Sequence, residues 1–289
     1  MTTTKTSGRE VIGRDANGAV RGYIVPIGGA EEKVRNPPIL SRFAEVCGGR
    51  DARIAVVPTA SRLKETAGTY EKIFREIGVG EVFSLPFEDR ADCKREDWLE
   101  KLGTATGVFM TGGNQLRIST TIGGTPVADM IRSRNRAGEL HVGGTSAGAS
   151  IMAEHMIAYG DEGSTPRADM VTLAPGLGLT QNLIIDQHFR QRDRLGRLLT
   201  AISYNPRCIG IGLDEDTAAF IDSEDHLVVV GSGAITVVDP SDMEFSSMDS
   251  AHRHDPVSLI DVRLHVLVEG GSFDFSSRRA TAGVPKDRS

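Results

Sequence analysis

The sequence predicts an α/β protein: a mostly parallel central sheet with helices on both faces, and antiparallel strands added in the C-terminal half. Three observations lead there. Apolar runs and helical segments alternate through the first half at the spacing of βα units. The run Arg53-Ile54-Ala55-Val56-Val57 shows no polar alternation, as expected of a strand buried on both faces. Glycine-rich turns follow three of the strands, at Gly28, Gly112 and Gly144. In such sheets sites form beyond the carboxyl ends of the strands, so these three turns are expected to meet at one edge.

Residues Met1 to Ala19 lack apolar periodicity and read as a loose lead-in. Tyr23 to Ile27 is a strand closed by Gly28-Gly29-Ala30-Glu31-Glu32-Lys33. A helix from Pro38 to Cys47 carries Ile39, Phe43, Val46 and Cys47 on one face. The strand Arg53 to Val57 breaks at Pro58 and gives way to an amphipathic helix near Glu65 to Ile77. Val82 to Leu85 is a strand, Asp97 to Leu102 a short helix, and Gly107 to Met110 a strand running into Thr111-Gly112-Gly113-Asn114-Gln115-Leu116-Arg117. Pro126 to Arg136 is helical and Leu140 to Val142 is a strand. Past Ser150 a short helical run, Ile151 to His155, is expected.

Asp161 to Pro175 reads as a long loop shaping a site. Leu183-Ile184-Ile185 leads into a basic stretch with His188, and Leu198 to Ser203 is helical. Ile209 to Leu213, Ala218 to Ile221, Leu227 to Val230 and Ala234 to Val238 are short strands, expected to extend the same sheet, with Leu264 to Val268 as the last. The tail from Ser276 to Ser289 is expected to be loose. Neither a repeat nor a linker interrupts the chain, so residues 1–289 are expected to form a single domain.

Composition narrows the function classes. A net charge of -6 disfavours nucleic acid as a partner, because phosphate binding needs a basic face. No apolar run approaches the roughly 20 residues of a membrane helix, and the polar N-terminus has no signal-peptide core. Cys47, Cys93 and Cys208 are odd in number and match no metal-site spacing, so they are expected to be reduced, buried thiols in a cytoplasmic protein.

The chemistry concentrates at Gly144-Thr145-Ser146-Ala147-Gly148. This fits the G-x-S-x-G nucleophile elbow, in which a strained strand-to-helix turn presents a serine hydroxyl above the sheet. An ordinary small-residue loop, or one that cradles phosphate, is the alternative. A serine needs a base, and His188, ending an apolar run beside Asp186 and Gln187, is the best placed of seven histidines. His141 lies within the strand feeding the elbow, and His155 follows the elbow. Asp214, Glu215 and Asp216, after Leu213, are candidates for the carboxylate that orients the imidazole, with Glu162 as a rival. Ala147 can offer one oxyanion N–H and the Gly112-Gly113 turn a second.

Together, Ile27-Gly28-Gly29-Ala30-Glu31, Met110-Thr111-Gly112-Gly113-Asn114-Gln115, Gly143 to Ala149, and Ile185-Asp186-Gln187-His188-Phe189 with Arg192-Asp193-Arg194-Leu195-Gly196-Arg197 resemble the cyanophycinases. These belong to a serine-peptidase family that also contains peptidase E, an α-aspartyl dipeptidase. The resemblance spans about Tyr23 to Val238. It implies a class I glutamine amidotransferase-like fold, a cofactor-free enzyme and a homodimer. It also implies a Ser146, His188, Glu215 triad, beside which Gly113 and Ala147 are expected to be the oxyanion donors. The implied activity is exo-acting hydrolysis of cyanophycin, a poly-aspartate whose β-carboxyls carry arginine, to β-Asp-Arg dipeptides. Gln115, Asp186, Gln187, Arg192, Arg194 and Arg197 match the positions that line the substrate pocket in that family. A substrate bearing both carboxylates and guanidinium groups calls for arginines and acids in its pocket. Arg190, Arg194 and Arg197 would share one helical face if the helix began that early. Asn114 stands where many such relatives have Asp. An aspartyl dipeptidase and a non-catalytic anion-binding module are the rival readings.

Overall fold

The computed structural model describes residues 20–35 and 37–283; the lead-in expected over residues 1–19 lies outside them. The strands are β1 (Ile24–Ile27), β2 (Arg53–Val57), β3 (Glu81–Ser84), β4 (Gly107–Met110), β5 (His141–Thr145), β6 (His155–Gly160), β7 (Val171–Pro175), β8 (Leu183–Gln187), β9 (Ile209–Leu213), β10 (Thr217–Ile221), β11 (His226–Gly231), β12 (Ile235–Asp239), β13 (Phe245–Ser246), β14 (Leu259–Ile260), β15 (Arg263–Leu267), β16 (Ser272–Asp274) and β17 (Arg279–Thr281). The helices are α1 (Pro38–Val46), α2 (Glu65–Ile77), α3 (Glu96–Gly103), α4 (Gln115–Ile122), α5 (Pro126–Arg136), α6 (Ala147–Ser150) and α7 (Leu195–Tyr204).

The main sheet has nine strands in the order β17-β16-β11-β10-β1-β5-β4-β2-β3. Its parallel half, β1-β5-β4-β2-β3, comes from the first half of the chain. Side-chain alternation along these strands feeds two cores. Ile54, Val56 and Phe109 pack with Phe43 of α1 and Phe74 of α2. Ala55, Val57, Val108 and Met110 pack with Leu102 of α3, Ile118 of α4 and Ile131 of α5. Helices therefore cover both faces, as the unalternating apolar strands require. Proline at the first turn starts α1 and α5, and Gly78, at φ 100°, ends α2.

The second half departs from expectation in four places. β10, β11 and β16 do extend the main sheet antiparallel. However, β9, β12 and β15 join β8 in a separate four-stranded sheet, and β8 and β9 run parallel. Local pattern does not say which sheet a short apolar strand will join, and α7 packs its Leu198 and Ile202 against this second sheet to close a third core. Residues 161–175 are not one loop: Val171–Pro175 pairs antiparallel with β6. The helical run expected at Ile151 to His155 is instead a turn entering β6, since α6 ends at Ser150. The tail expected to be loose from Ser276 supplies β17 to the sheet edge; residues 284–289 lie outside the described residues. One helix, α4, has no counterpart among the sequence expectations. It begins at Asn114, whose side-chain oxygen accepts from the Leu116 N–H at 2.9 Å. Asparagine does here what aspartate would do as a helix cap. The three cysteines are buried and unpaired, as expected.

Candidate active site

The carboxyl ends of β1, β5, β8 and β9 converge with the turn after β4. At the end of β5 the chain passes from Thr145 into α6 through Ser146, which holds φ 53° and ψ -111°. A serine keeps such dihedrals only where its surroundings impose them. Here the Ser146 N–H donates to the Ile27 carbonyl at 2.9 Å, and the Ser146 carbonyl accepts from Ala149 and Ser150 at 3.0 and 3.2 Å. A Cβ at Gly144 would stand 2.4 Å from the Gly148 oxygen, and one at Gly148 would stand 2.2 Å from the Met110 oxygen. The turn is thus closed by backbone packed too tightly for side chains.

His188 follows β8 at φ 49°, its N–H donating to the Gly28 carbonyl at 2.8 Å. Its Nε2 lies 2.9 Å from Ser146 Oγ, and its Nδ1 lies 2.6 Å from Glu215 Oε1. The imidazole is largely buried, and Glu215 is partly open to solvent. Burial holds His188 below the ordinary imidazole value, against the opposing pull of the Glu215 hydrogen bond; the Arg192 charge adds to the lowering. Gly29, at φ 104°, lies against this ring: a Cβ there would sit 2.3 Å from Cε1 and 2.6 Å from Nε2.

Geometry separates the four acids that local pattern left open and among which the resemblance implies Glu215. Asp214 is buried and accepts from the Arg190 and Ala234 N–H groups and from Arg190 Nε. Asp216 accepts from the Glu32 N–H and the Ser232 hydroxyl. Glu162 is exposed. Glu215 alone of the four has its carboxylate on His188. His141, half-buried, instead accepts at Nδ1 from the Tyr23 N–H.

Around the serine, a Cβ at Gly112 would lie 3.4 Å from Ser146 Cβ, so the Gly112-Gly113 turn borders the hydroxyl. Gly113, at φ 142°, presses against the Ala60 carbonyl. Ala147 opens α6 directly after the serine. Gln187 Oε1 accepts from Ser146 Oγ at 3.4 Å. Gln115 donates through Nε2 to the Ile157 and Ala158 carbonyls, at 3.1 and 2.9 Å, and so fixes α4 to β6. Arg192 is exposed beside His188.

Asp186, Arg194 and Arg197, expected at the substrate surface, lie beneath it. They are 0, 6 and 5% exposed. Arg197 grips Asp186 with two nitrogens, the Nε bond measuring 2.6 Å, and Arg194 donates to the Gln187 carbonyl at 2.5 Å. The expected single arginine face does not form, because Asp193 turns left-handed at φ 46° between the Arg190–Arg192 turn and α7. Arg190 is left outside on Asp214, while Arg194 and Arg197 point inward.

Residues that the sequence assigned no role complete the site. Glu31, 3% exposed, accepts from the Thr145 hydroxyl and the Tyr70 hydroxyl, both at 2.5 Å, and pairs with Lys33 at 3.1 Å. Burial first, then the Glu31 carboxylate, pushes the Tyr70 hydroxyl well above its ordinary value. Glu31 therefore ties the residue before Ser146 to α2. A cavity of about 640 Å³ opens from Ser146 past Glu31, Lys33, Arg62, Tyr70 and Arg117, within the size range of small-molecule sites. The sequence signal for this wall was the Ile27-to-Glu31 motif with its glycine turn, which gave Glu31 no role, since an acid two residues from a lysine reads equally well as surface charge.

The family model described as peptidase family S51 matches residues 24–229. A cyanophycinase of Synechococcus elongatus is 42% identical over 260 residues, covering 90% of this chain and 81% of the relative. A cyanophycinase of Geminocystis herdmanii is 40% identical over 266 residues, covering 92% of this chain and 98% of the relative. Among solved structures, a peptidase from an acI-B1 Actinobacterium superposes with a TM-score of 0.63 at 20% identity, over 88% of this chain and 97% of that one. A putative peptidase E protein of Listeria monocytogenes gives 0.51 at 17%, over 74% of this chain and 100% of that one. At those identities the two structures speak to the fold.

Proposed function

The chain belongs to peptidase family S51, and from that premise we propose that it degrades cyanophycin by a serine mechanism, releasing β-Asp-Arg dipeptides. The observation that carries this reading is the hydrogen-bonded line from Ser146 Oγ through His188 to Glu215, at 2.9 and 2.6 Å, opening onto a cavity.

In this mechanism Ser146 Oγ attacks the backbone carbonyl carbon of an aspartyl residue while His188 Nε2 takes the hydroxyl proton. Glu215 holds the imidazole by Nδ1 and stabilises it once charged. The carbonyl π electrons move to oxygen, and the Gly113 and Ala147 N–H groups hold the resulting oxyanion. Collapse of the tetrahedral adduct breaks the C–N bond, and His188 returns its proton to the leaving amine. Water, deprotonated by the same imidazole, then releases the acyl group and restores the Ser146 hydroxyl. None of these steps calls for a cofactor. The depressed pKa of His188 keeps it neutral, and so ready as a base, near neutral pH.

Arg192 touches the substrate directly in this reading, Gln187, buried at 6% exposure, acts through its contact with Ser146 Oγ, and Gln115 shapes the pocket through β6. Asp186, Arg194 and Arg197 act from beneath, by fixing the end of β8 that carries His188. The enzyme works in the cytoplasm as a homodimer, and sedimentation of the purified protein tests the dimer.

Purified protein incubated with cyanophycin, and separately with dipeptides bearing N-terminal aspartate, decides the substrate. Release of β-Asp-Arg with the dipeptides left intact is the expected result. Turnover of the dipeptides alone would move the activity to the peptidase E type. Failure of a serine-directed phosphonate to label Ser146 would remove the serine mechanism.

A further inference from the structure

A second cavity, of about 690 Å³, lies at the opposite edge of the sheets. Its floor includes Ile24, Leu183 and Ile209, the first residues of β1, β8 and β9. Those strands end, respectively, at the turn against His188, at Gln187, and just before Glu215. A five-residue strand spans about 13 Å between its end residues, at roughly 3.3 Å per rise. The second cavity is therefore separate from the cavity at Ser146, with the length of the strands between them.

Its wall is unusually cationic for a chain of net charge -6. Arg21, Arg136, Arg207 and Arg278 all line it, with Asp225 as the acid among the lining residues. Two of these guanidinium groups are committed: Arg21 pairs with Asp225 at 2.8 Å, and Arg278 pairs with Asp239. Arg136, at the end of α5, and Arg207, between α7 and β9, are exposed, and their guanidinium groups have no ion pair or hydrogen-bond partner among the described residues. Thus a concave site of ligand size combines an apolar floor with two uncompensated guanidinium groups. Planar fork donors of this kind bind carboxylate or phosphate oxygens in pairs.

We propose that this cavity is a binding site for a small anion carrying two acidic groups, distinct from the hydrolytic site. Carboxylate and phosphate ligands share the required chemistry, and the probes below tell them apart. The proposal does not depend on the substrate assigned above, because it is read by binding alone.

The test is isothermal titration calorimetry on the full chain, with L-aspartate as dicarboxylate probe and inorganic pyrophosphate as phosphate probe. One probe is expected to bind saturably at one site per chain. The Arg136→Ala/Arg207→Ala double variant is expected to bind about tenfold more weakly or worse, as loss of charge-assisted hydrogen bonds demands. Both arginines are exposed, and an unchanged melting temperature verifies that the double variant is folded. Ser146→Ala is expected to bind like the parent, and the loss in the double variant is what places the ligand at Arg136 and Arg207. Binding of aspartate identifies a carboxylate ligand, and binding of pyrophosphate a phosphorylated one. Saturable binding of neither probe overturns the proposal. So does equal binding by the double variant, or loss of binding in Ser146→Ala.

Discussion

Gly29 is the position where a single methyl group should disable catalysis without unfolding the protein. A Cβ at Gly29 would stand 2.3 Å from His188 Cε1 and 2.6 Å from Nε2, where ordinary contact begins at 3.4 Å. In Gly29→Ala the imidazole must retreat by about 1 Å, because the backbone on the other side is held by the bond from His188 N–H to the Gly28 carbonyl. That retreat breaks the 2.9 Å contact to Ser146, and a misplacement of about 1 Å costs on the order of 10²-fold in kcat. Alanine at φ 104° adds about 1–3 kcal/mol of backbone strain, which a chain of this size survives at room temperature. The assay pairs kcat on cyanophycin with the rate of Ser146 labelling by a serine-directed phosphonate, alongside chemical denaturation. Both rates should fall together while the denaturation midpoint moves modestly. A folded variant with kcat within about threefold of the parent would refute the claim that the Ser146–His188 contact drives turnover.

Ser146→Ala should lower kcat by at least about 10⁴-fold with an unchanged melting curve, and near-normal turnover would reject it as nucleophile. For the parent, kcat/KM should rise with pH through the His188 pKa, below the ordinary 6.5, and then level off, since only the neutral ring accepts a proton. Glu215→Gln removes the group that raises this pKa, so the acidic limb should move to still lower pH while kcat drops by about 10³–10⁴-fold. A limb that moves upward instead would mean Glu215 does not hold the imidazole. Asp186→Asn leaves Arg194 and Arg197 buried without their carboxylate, and should cost about 3–5 kcal/mol in urea denaturation. A loss under about 1 kcal/mol with a raised KM would return Asp186 to the substrate surface.

Much of the architecture was legible because its signals are local. The apolar runs of β2 and β4, the prolines opening α1 and α5, and the elbow at Ser146 each announce themselves within a few residues. Boundaries such as Glu65–Ile77 and Pro126–Arg136 matched because amphipathic period, glycine and proline act at short range. The family resemblance likewise rests on contiguous motifs. α4 escaped notice since its start signal is an asparagine within a glycine turn, which reads as loop until the cap is seen.

What only tertiary structure decided is who faces whom. Asp214, Glu215 and Asp216 are adjacent acids that local pattern alone does not rank; the resemblance implies Glu215, and the path of β9 into β10 turns just that one toward His188. The burial of Asp186, Arg194 and Arg197 depends on α7 packing over β8, a contact without trace in spacing. The membership of β8, β9, β12 and β15 in a second sheet was equally hidden, as was the inward turn of Glu31 beneath Thr145. Sequence periodicity reports whether a side chain is buried or exposed. The partner it meets is chosen when distant strands close against one another, and that choice is made by the packing of the whole fold.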